Sequence, residues 1–113
     1  MNIKRGQIYL VALDPVVGKE ISKTRPVVIV SNNKNNEFSA TVTILPVTSK
    51  NLQDIYPFEV LLPKGTGKLP KASKVKADQI RTLDKSRIVK LIGTTGKKEM
   101  SKIEKATKIH LAL

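Results

Sequence analysis

The stretch Lys23-Thr24-Arg25-Pro26-Val27-Val28-Ile29-Val30-Ser31-Asn32 gives the clearest structural signal in the chain. Its centre, residues 27–30, is an unbroken run of β-branched side chains, which is typical of a strand buried on both faces. Pro26 favours an extended conformation at Arg25. The polar run from Ser31 to Asn36 has the composition of a turn. We therefore predict a central strand that begins close to an arginine and ends in a turn.

Shorter segments of strand composition lie on both sides of this stretch. They are Gln7–Leu13, Thr41–Val47, Phe58–Leu62, Ser73–Ile80 and Ile88–Gly93, with a long loop at 16–24 and a Pro/Gly loop at 63–70. Five or six short strands in a chain too short for βαβ crossovers predict a mostly β (α+β) fold, a small SH3-like barrel.

The end of the chain has a different period. From Lys97 onward the residues Met100, Ile103, Ala106, His110 and Leu113 recur at spacings of three and four. This pattern predicts an amphipathic C-terminal helix packed on the barrel. Gly96 and two lysines at its start lack a capping side chain and oppose the helix dipole, so we expect the first turn to fray.

Length and composition limit the class of protein. At 113 residues, 40% of them hydrophobic, the sequence predicts one domain over 1–113. No apolar run is long enough to span a bilayer, and Met1–Gly6 does not lead into the apolar stretch of a signal peptide, so we expect a cytoplasmic protein. The lack of cysteine excludes disulfides, a thiolate nucleophile and sulfur-ligated metals.

The charge predicts a polyanionic partner. Lysine and arginine outnumber acids by 21 to 9, a net charge of +12. The excess lies mainly in the second half, where Lys64, Lys68, Lys71, Lys74 and Lys76 fall in a stretch without acids. Such a cluster is either a solvated loop or a set of phosphate contacts that would make binding strongly salt-dependent.

Several kinds of catalysis are disfavoured. His110 is the only histidine, which excludes a two-histidine ribonuclease mechanism, and we interpret it as a packing residue. The nine carboxylates are scattered, without the clusters that hold magnesium in nucleases, so we predict no metal and no cofactor. No glycine-rich nucleotide loop or Gly-x-Ser-x-Gly elbow occurs.

Polar residues at strand ends remain as candidates. Those that carry the argument are Glu20, Arg25 and Thr48. RNA supplies its own nucleophile, the 2′-hydroxyl, so an arginine fork and a hydroxyl could hold the scissile phosphate while a carboxylate accepts a proton. The alternative is structural: Arg25 forms a surface salt bridge with Glu20, and Thr48 closes a turn. Composition and spacing alone favour this alternative.

A resemblance to a known protein family favours the catalytic interpretation over the structural one. The segments Lys4-Arg5-Gly6-x-Ile8-Tyr9, Asp14-Pro15-x-x-Gly18-x-Glu20, residues 23–32, Pro46–Ser49, Asp78–Arg87 and Ile92-Gly93 occur in the order of the motifs of MazF/PemK toxins. The similarity spans nearly the whole chain. The blocks Arg25-Pro26-Val27-Val28 and Asp78-Gln79-Ile80-Arg81 are specific enough to make chance a poor explanation. The chain therefore resembles this family of toxin-antitoxin ribonucleases.

The resemblance implies a homodimeric endoribonuclease toxin (an mRNA interferase) with a CcdB/MazF-type barrel. It would cut single-stranded RNA without metal, leaving a 2′,3′-cyclic phosphate and a 5′-hydroxyl. Arg25 and Thr48 match the family's catalytic pair, and Glu20 matches an assisting glutamate. The substrate-binding residues it implies are Gly18, Lys19, Lys23, Ser49, Asp78 and Gln79. It also implies an acidic, MazE-like antitoxin peptide as inhibitor, with operator DNA reached only through that antitoxin.

Two other hypotheses stay open from sequence. The first is a non-enzymatic poison of the CcdB type, which shares the barrel but binds DNA gyrase through its C-terminal helix and has no need of the pair Arg25 and Thr48. The second is a basic nucleic-acid-binding barrel without catalysis, which predicts salt-sensitive binding without product.

Overall fold

The computed structural model describes residues 2–113; Met1, the first residue of the predicted domain and of the stretch compared with signal peptides, lies outside the described residues. The elements are β1 (Gln7–Ala12), β2 (Thr24–Ile29), α1 (Asn33–Phe38), β3 (Thr41–Thr48), β4 (Glu59–Leu62), β5 (Ser73–Lys76), β6 (Arg81–Asp84), β7 (Ile88–Thr94) and α2 (Lys97–Leu111). Single 3₁₀ turns occupy Thr66–Lys68, Ala77–Gln79 and Lys85–Arg87. Across residues 2–113, neither helix is long and apolar enough to cross a membrane.

The strands form one antiparallel sheet in the order β4-β5-β3-β2-β1-β7, and β6 also pairs with β3. Strand β3 pairs with three other strands. One edge pairs with β2, while the other pairs with β6 along Thr41–Ile44 and with β5 at Val47 and Thr48. Strands β4 and β7, at the two ends of this order, do not pair with each other, so the sheet is not closed, although the fold is roughly barrel-like. The predicted mostly β fold with a packed C-terminal helix is confirmed.

The apolar core lies on both faces of the central strands. In β2, Val28 packs into one cluster, while Val27 and Ile29 pack into a second cluster on the opposite face. All three side chains are fully buried, which explains why the run is continuous rather than alternating. The helix α2 covers the first cluster with Met100, Ile103 and Ala106. The prediction of a doubly buried central strand is therefore confirmed.

Two predictions of local structure are wrong. The predicted turn at Ser31–Asn36 runs into the short helix α1, because the Asn32 side chain accepts a hydrogen bond from the Asn35 amide (2.8 Å) and so caps a helical turn. The predicted strand Ser73–Ile80 is too long: β5 ends at Lys76, and a 3₁₀ turn at Ala77–Gln79 leads into β6 (Arg81–Asp84), a seventh strand that was not predicted. This turn allows β5 and β6 to pair with different parts of β3.

The helix α2 also departs from its sequence pattern at both ends. At its start the Glu99 carboxylate accepts a hydrogen bond from the Gly96 amide (2.8 Å), which opposes the fraying expected there. At its end the buried stripe stops at Ala106, and both His110 and Leu113 are exposed. His110, interpreted from sequence as a packing residue, is therefore not part of the core cluster under α2. Its ring instead lies at a tilt beside Phe58, with centroids 6.1 Å apart.

Candidate functional site

The start of β2 and the end of β3 meet at one cavity. The last recorded pair between β2 and β3 is Val27 with Pro46. Arg25 lies two residues before Val27 on β2, and Thr48 lies two residues after Pro46 on β3. Continuing the antiparallel register therefore places Arg25 opposite Thr48. Both line a cavity of about 250 Å³, whose other lining residues are Glu20, Ile21, Ser22, Lys50, Asn51, Lys74 and Lys76. The structure thus brings the three predicted catalytic residues to one place.

Arg25 is oriented by the backbone rather than by a carboxylate. Its Nε donates a hydrogen bond to the Ser22 carbonyl (3.1 Å). No ion pair joins Arg25 to Glu20 in residues 2–113, so the surface salt bridge considered from sequence does not form. A guanidinium held at Nε keeps its two terminal nitrogens available for two-point contact with a phosphate.

Thr48 does close a turn, as the structural alternative expected. Its Oγ1 accepts a hydrogen bond from the Lys50 amide (3.2 Å), and the side chain is partly exposed at the cavity. This bond uses an oxygen lone pair and leaves the hydroxyl proton free to be donated. The turn contact therefore orients the hydroxyl without preventing it from donating to a phosphate oxygen.

Glu20 lies on the long loop between β1 and β2. Its Oε1 accepts a hydrogen bond from the Val17 amide (2.5 Å), so the carboxylate stabilises its own turn. The loop is closed at its base by the Leu13 amide, which donates to the Lys23 carbonyl (2.9 Å). Among the described residues, the second carboxylate oxygen of Glu20 accepts no hydrogen bond.

None of the predicted substrate-binding residues lines the cavity itself. Gly18, Lys19 and Lys23 are exposed on the same loop. Ser49 lines a neighbouring depression of about 140 Å³ that shares Arg25 with the cavity.

Asp78 and Gln79 approach the cavity from the 3₁₀ turn after β5. The Gln79 Oε1 accepts a hydrogen bond from the Ile21 amide (3.4 Å), which links this turn to the β1–β2 loop. The Asp78 Oδ1 lies 3.6 Å from the Lys76 Nζ and, within the described residues, has no hydrogen-bond partner although it is buried. Asp78 and Gln79 therefore touch lining residues without lining the cavity themselves.

A buried ionic cluster forms one side of the cavity. Glu59 on β4 is enclosed, and its carboxylate accepts hydrogen bonds from Lys74 (3.1 Å) and Lys76 (2.7 Å) on β5. Burial by itself would raise the pKa of Glu59, but the bonds from Lys76, the Tyr56 amide and Lys74 outweigh it and lower the pKa. Burial likewise opposes charge on Lys76, yet its contacts with Glu59 and Asp78 raise its pKa. Both groups are therefore held in their charged forms.

The lysine-rich stretch is not one solvated loop. Lys64, Lys68 and Lys71 are exposed, as that interpretation expects, but Lys74 is only 3% exposed. Lys74 and Lys76 were named from sequence only as members of the basic stretch, not among the predicted site residues. The signal was present in the alternation along β5, since Lys74 and Lys76 are two apart and must share a face. Asn51 was missed as well, because nothing in its local sequence marks it.

The donor set suits an anion better than a metal. In the part of the chain that the structure describes, no three His, Cys, Asp or Glu residues are grouped so that they could hold a metal ion. The cavity instead combines one guanidinium, three lysines, two hydroxyls and one carboxylate. Such a set can hold a phosphate group and move a proton beside it.

Fold and cavity together define a small basic β protein whose polar cavity lies where two central strands, β2 and β3, meet. Residues 4–111 match the family described as "PemK-like, MazF-like toxin of type II toxin-antitoxin system", and the chain belongs to this family.

Named relatives are similar over nearly their full length. The chain is 38% identical to Endoribonuclease MazF9 of Mycobacterium tuberculosis, with 98% of each sequence covered. It is 37% identical to Endoribonuclease MazF of Staphylococcus saprophyticus, covering 98% of this chain and 92% of that one.

Solved structures agree with the fold. The chain superposes on MazF from Deinococcus radiodurans with a TM-score of 0.86 and 25% identity, covering 100% and 99% of the two chains. A mycobacterial endoribonuclease in complex with its cognate antitoxin gives a TM-score of 0.81 at 29% identity, covering 98% and 96%.

Proposed function

We propose that this chain is an endoribonuclease toxin that cuts single-stranded RNA, messenger RNA included, by attack of the 2′-hydroxyl on the adjacent phosphodiester. The products are a 2′,3′-cyclic phosphate and a 5′-hydroxyl, and no metal takes part. The observation that carries the proposal is the shared cavity of Arg25, Thr48 and Glu20. The relatives named endoribonuclease support the same activity.

Each of the three residues has a separate role in this mechanism. Arg25 holds two oxygens of the scissile phosphate and stabilises the charge that grows on them in the transition state. The Thr48 hydroxyl donates to one of these oxygens. Glu20 accepts the proton of the 2′-hydroxyl as the oxygen attacks phosphorus and the bond to the 5′-oxygen breaks; the leaving 5′-oxygen takes a proton from solvent water, and Glu20 returns its proton to solvent. Gly18, Lys19, Lys23, Ser49, Asp78 and Gln79 hold the flanking nucleotides.

The test is cleavage of a long single-stranded RNA in EDTA. Arg25→Ala should lower the single-turnover rate by about a hundredfold or more, and Thr48→Ala should lower it by at least about tenfold. Arg5→Ala and Thr94→Ala are matched controls, since Arg5 pairs with Glu104 away from the cavity and Thr94 is exposed on β7. Full activity in both site variants would reject these roles, and dependence on added metal would reject the mechanism.

Mapping the cut ends separates the rival hypotheses. A gyrase poison would inhibit DNA supercoiling and leave RNA intact, and a simple binding barrel would retain RNA without producing ends. Membership of the PemK-like, MazF-like family and relatives named endoribonuclease favour cleavage over both. The expected fragments carry a 5′-hydroxyl, which polynucleotide kinase labels without prior phosphatase treatment.

The proposal includes two protein partners. One is a second copy of the chain, because 113 residues enclose only a small cavity and Val89 and Leu91 on the edge strand β7 are each more than half exposed. The other is an acidic antitoxin peptide attracted by the net charge of +12. A homodimer predicts a sedimentation mass twice 12.5 kDa. An inhibitory antitoxin predicts that the peptide and RNA compete, and operator DNA should bind only when the antitoxin is present.

The setting we propose is the cytoplasm, where messenger RNA is available. A chain without cysteine is indifferent to its reducing conditions.

A further inference from the structure

The loop that follows Thr48 is tied to a buried ion pair. This β3–β4 loop, residues 49–58, has few buried side chains of its own, and residues 53–57 are all exposed. Its backbone is nevertheless held at three points. The Lys74 Nζ donates to the carbonyls of Asn51 (3.0 Å) and Asp54 (2.9 Å), and the Tyr56 amide donates to the Glu59 Oε1 (3.0 Å).

Lys74 and Glu59 are unusually enclosed for charged residues. Their side chains are 4% and 0% exposed, and the Nζ to Oε1 distance is 3.1 Å. An ammonium has three protons, and the three acceptors around Lys74 use all of them. A buried charge pair of this kind costs desolvation and adds little net stability, so its value lies in fixing one arrangement of the groups around it.

The position of Lys74 links this arrangement to the candidate site. Lys74 is the register partner of Thr48 across the β3–β5 pair, so the two side chains lie on the same face of the sheet. Thr48 is in turn oriented by the Lys50 amide, one residue before the first anchored carbonyl at Asn51. Lys50, Asn51 and Lys74 all line the cavity. Displacement of the loop would therefore displace the Lys50 amide and the Thr48 hydroxyl.

We propose that Lys74 and Glu59 are positioning residues, which fix the β3–β4 loop and thereby aim the Thr48 hydroxyl at the scissile phosphate. Neither group contacts the reacting atoms. With its three protons already bonded, Lys74 does not bind phosphate. The consequence for cleavage depends on the proposed function, whereas the consequence for the loop does not.

The test compares Lys74→Met with Lys64→Met. Both remove one positive charge from the same stretch, but Lys64 is exposed and Lys74 is buried. Lys74→Met leaves Glu59 paired with Lys76 and the Tyr56 amide, so its charge remains compensated and the fold should persist. At saturating RNA, Lys74→Met should cut about tenfold to a hundredfold more slowly than Lys64→Met. The two variants should bind an uncleavable 2′-deoxy analogue equally well within about twofold.

Amide hydrogen exchange provides the second readout. Lys74→Met should accelerate exchange within residues 50–57 and leave the amides of β1, β2 and β7 as slow as in the wild type. Equal cleavage rates for the two lysine variants, or unchanged exchange in the loop, would overturn the proposal. Faster exchange throughout the sheet would also overturn it, because it would show general destabilisation instead of positioning. If the wild type cuts no RNA, the proposed function fails while the exchange experiment still decides whether Lys74 holds the loop.

Discussion

At the scale of single residues, the difference between binding and structural groups lies in whether their charges are neutralised by neighbours. Arg25 is held through Nε by a carbonyl, which leaves its charge unneutralised for a ligand. Glu59 is the opposite case, since it is enclosed and its charge is matched by two lysines. An arginine of the first kind suits phosphate binding, whereas a carboxylate of the second kind has a structural role.

The buried ionic cluster of Glu59, Lys74 and Lys76 makes the stability of the fold depend on pH. The pKa of Glu59 is lowered in the folded protein, so its contribution is complete above the ordinary glutamate value of 4.5 and is lost as pH falls through the folded pKa. The pKa of Lys76 is raised, so its contribution is complete below the ordinary value of 10.5 and is lost as pH rises through the folded pKa. The cluster therefore stabilises the fold most between these two limits.

Glu59→Gln tests this dependence. The substitution leaves the buried Lys74 ammonium without its counter-charge, so we expect the free energy of unfolding at neutral pH to fall by roughly 3 kcal/mol. Urea unfolding measured from pH 7 down to pH 3 should show a smaller acid-side decline in the variant than in the wild type. Glu37→Gln is the control, because Glu37 is exposed. This substitution should change neither the free energy of unfolding at neutral pH nor its decline at acid pH. Parallel pH profiles for wild type and Glu59→Gln would contradict the argument.

At the scale of elements, regular patterns were predictable and contacts distant in sequence were not. The central strand followed from the β-branched run at 27–30, and α2 followed from its spacing, because burial imposes those periods directly. The end of β5 at Lys76 and the new strand β6 at Arg81–Asp84 depend on which part of β3 each strand pairs with, and no local sequence pattern indicates that pairing. Arg25, Thr48 and Glu20 were candidates as polar residues at strand ends, and only the family motifs favoured a catalytic role over a structural one. The Lys74 ammonium donates to the backbone carbonyl of Asn51, 23 residues away in sequence. A backbone acceptor has no sequence signature, so this contact could not be predicted.

The helix α2 predicts a sharp contrast between two isoleucines. Ile103 is 1% exposed in the first core cluster, whereas Ile109 is 47% exposed near the helix end. Ile103→Ala should lower the free energy of unfolding by about 3 kcal/mol, because it removes packed methyl groups and leaves a cavity. Ile109→Ala should lower it by less than about 1 kcal/mol. Urea denaturation of the two variants gives the comparison, and equal losses would show that α2 is not packed on the sheet as described.

At the scale of the whole molecule, the net charge of +12 has a general and a local effect on RNA. All cations raise the local RNA concentration through the long-range field, but only those touching phosphates release counterions on binding. Lys71 and Lys98 allow the two effects to be separated. Both are exposed lysines, but Lys71 lines the depression that shares Arg25 with the cavity, whereas Lys98 lies in the first turn of α2.

Salt titrations of RNA binding should therefore distinguish these two lysines. With an uncleavable single-stranded analogue, the logarithm of the association constant should fall linearly with the logarithm of salt concentration. Lys71→Ala should reduce the steepness of that line by about 0.7, the contribution of one phosphate contact on a single strand. Lys98→Ala removes the same charge and should leave the slope unchanged, with only a small shift in affinity. Equal slopes for both variants would mean that RNA does not cross the depression beside Arg25, and the path of the strand over the protein would have to be redrawn.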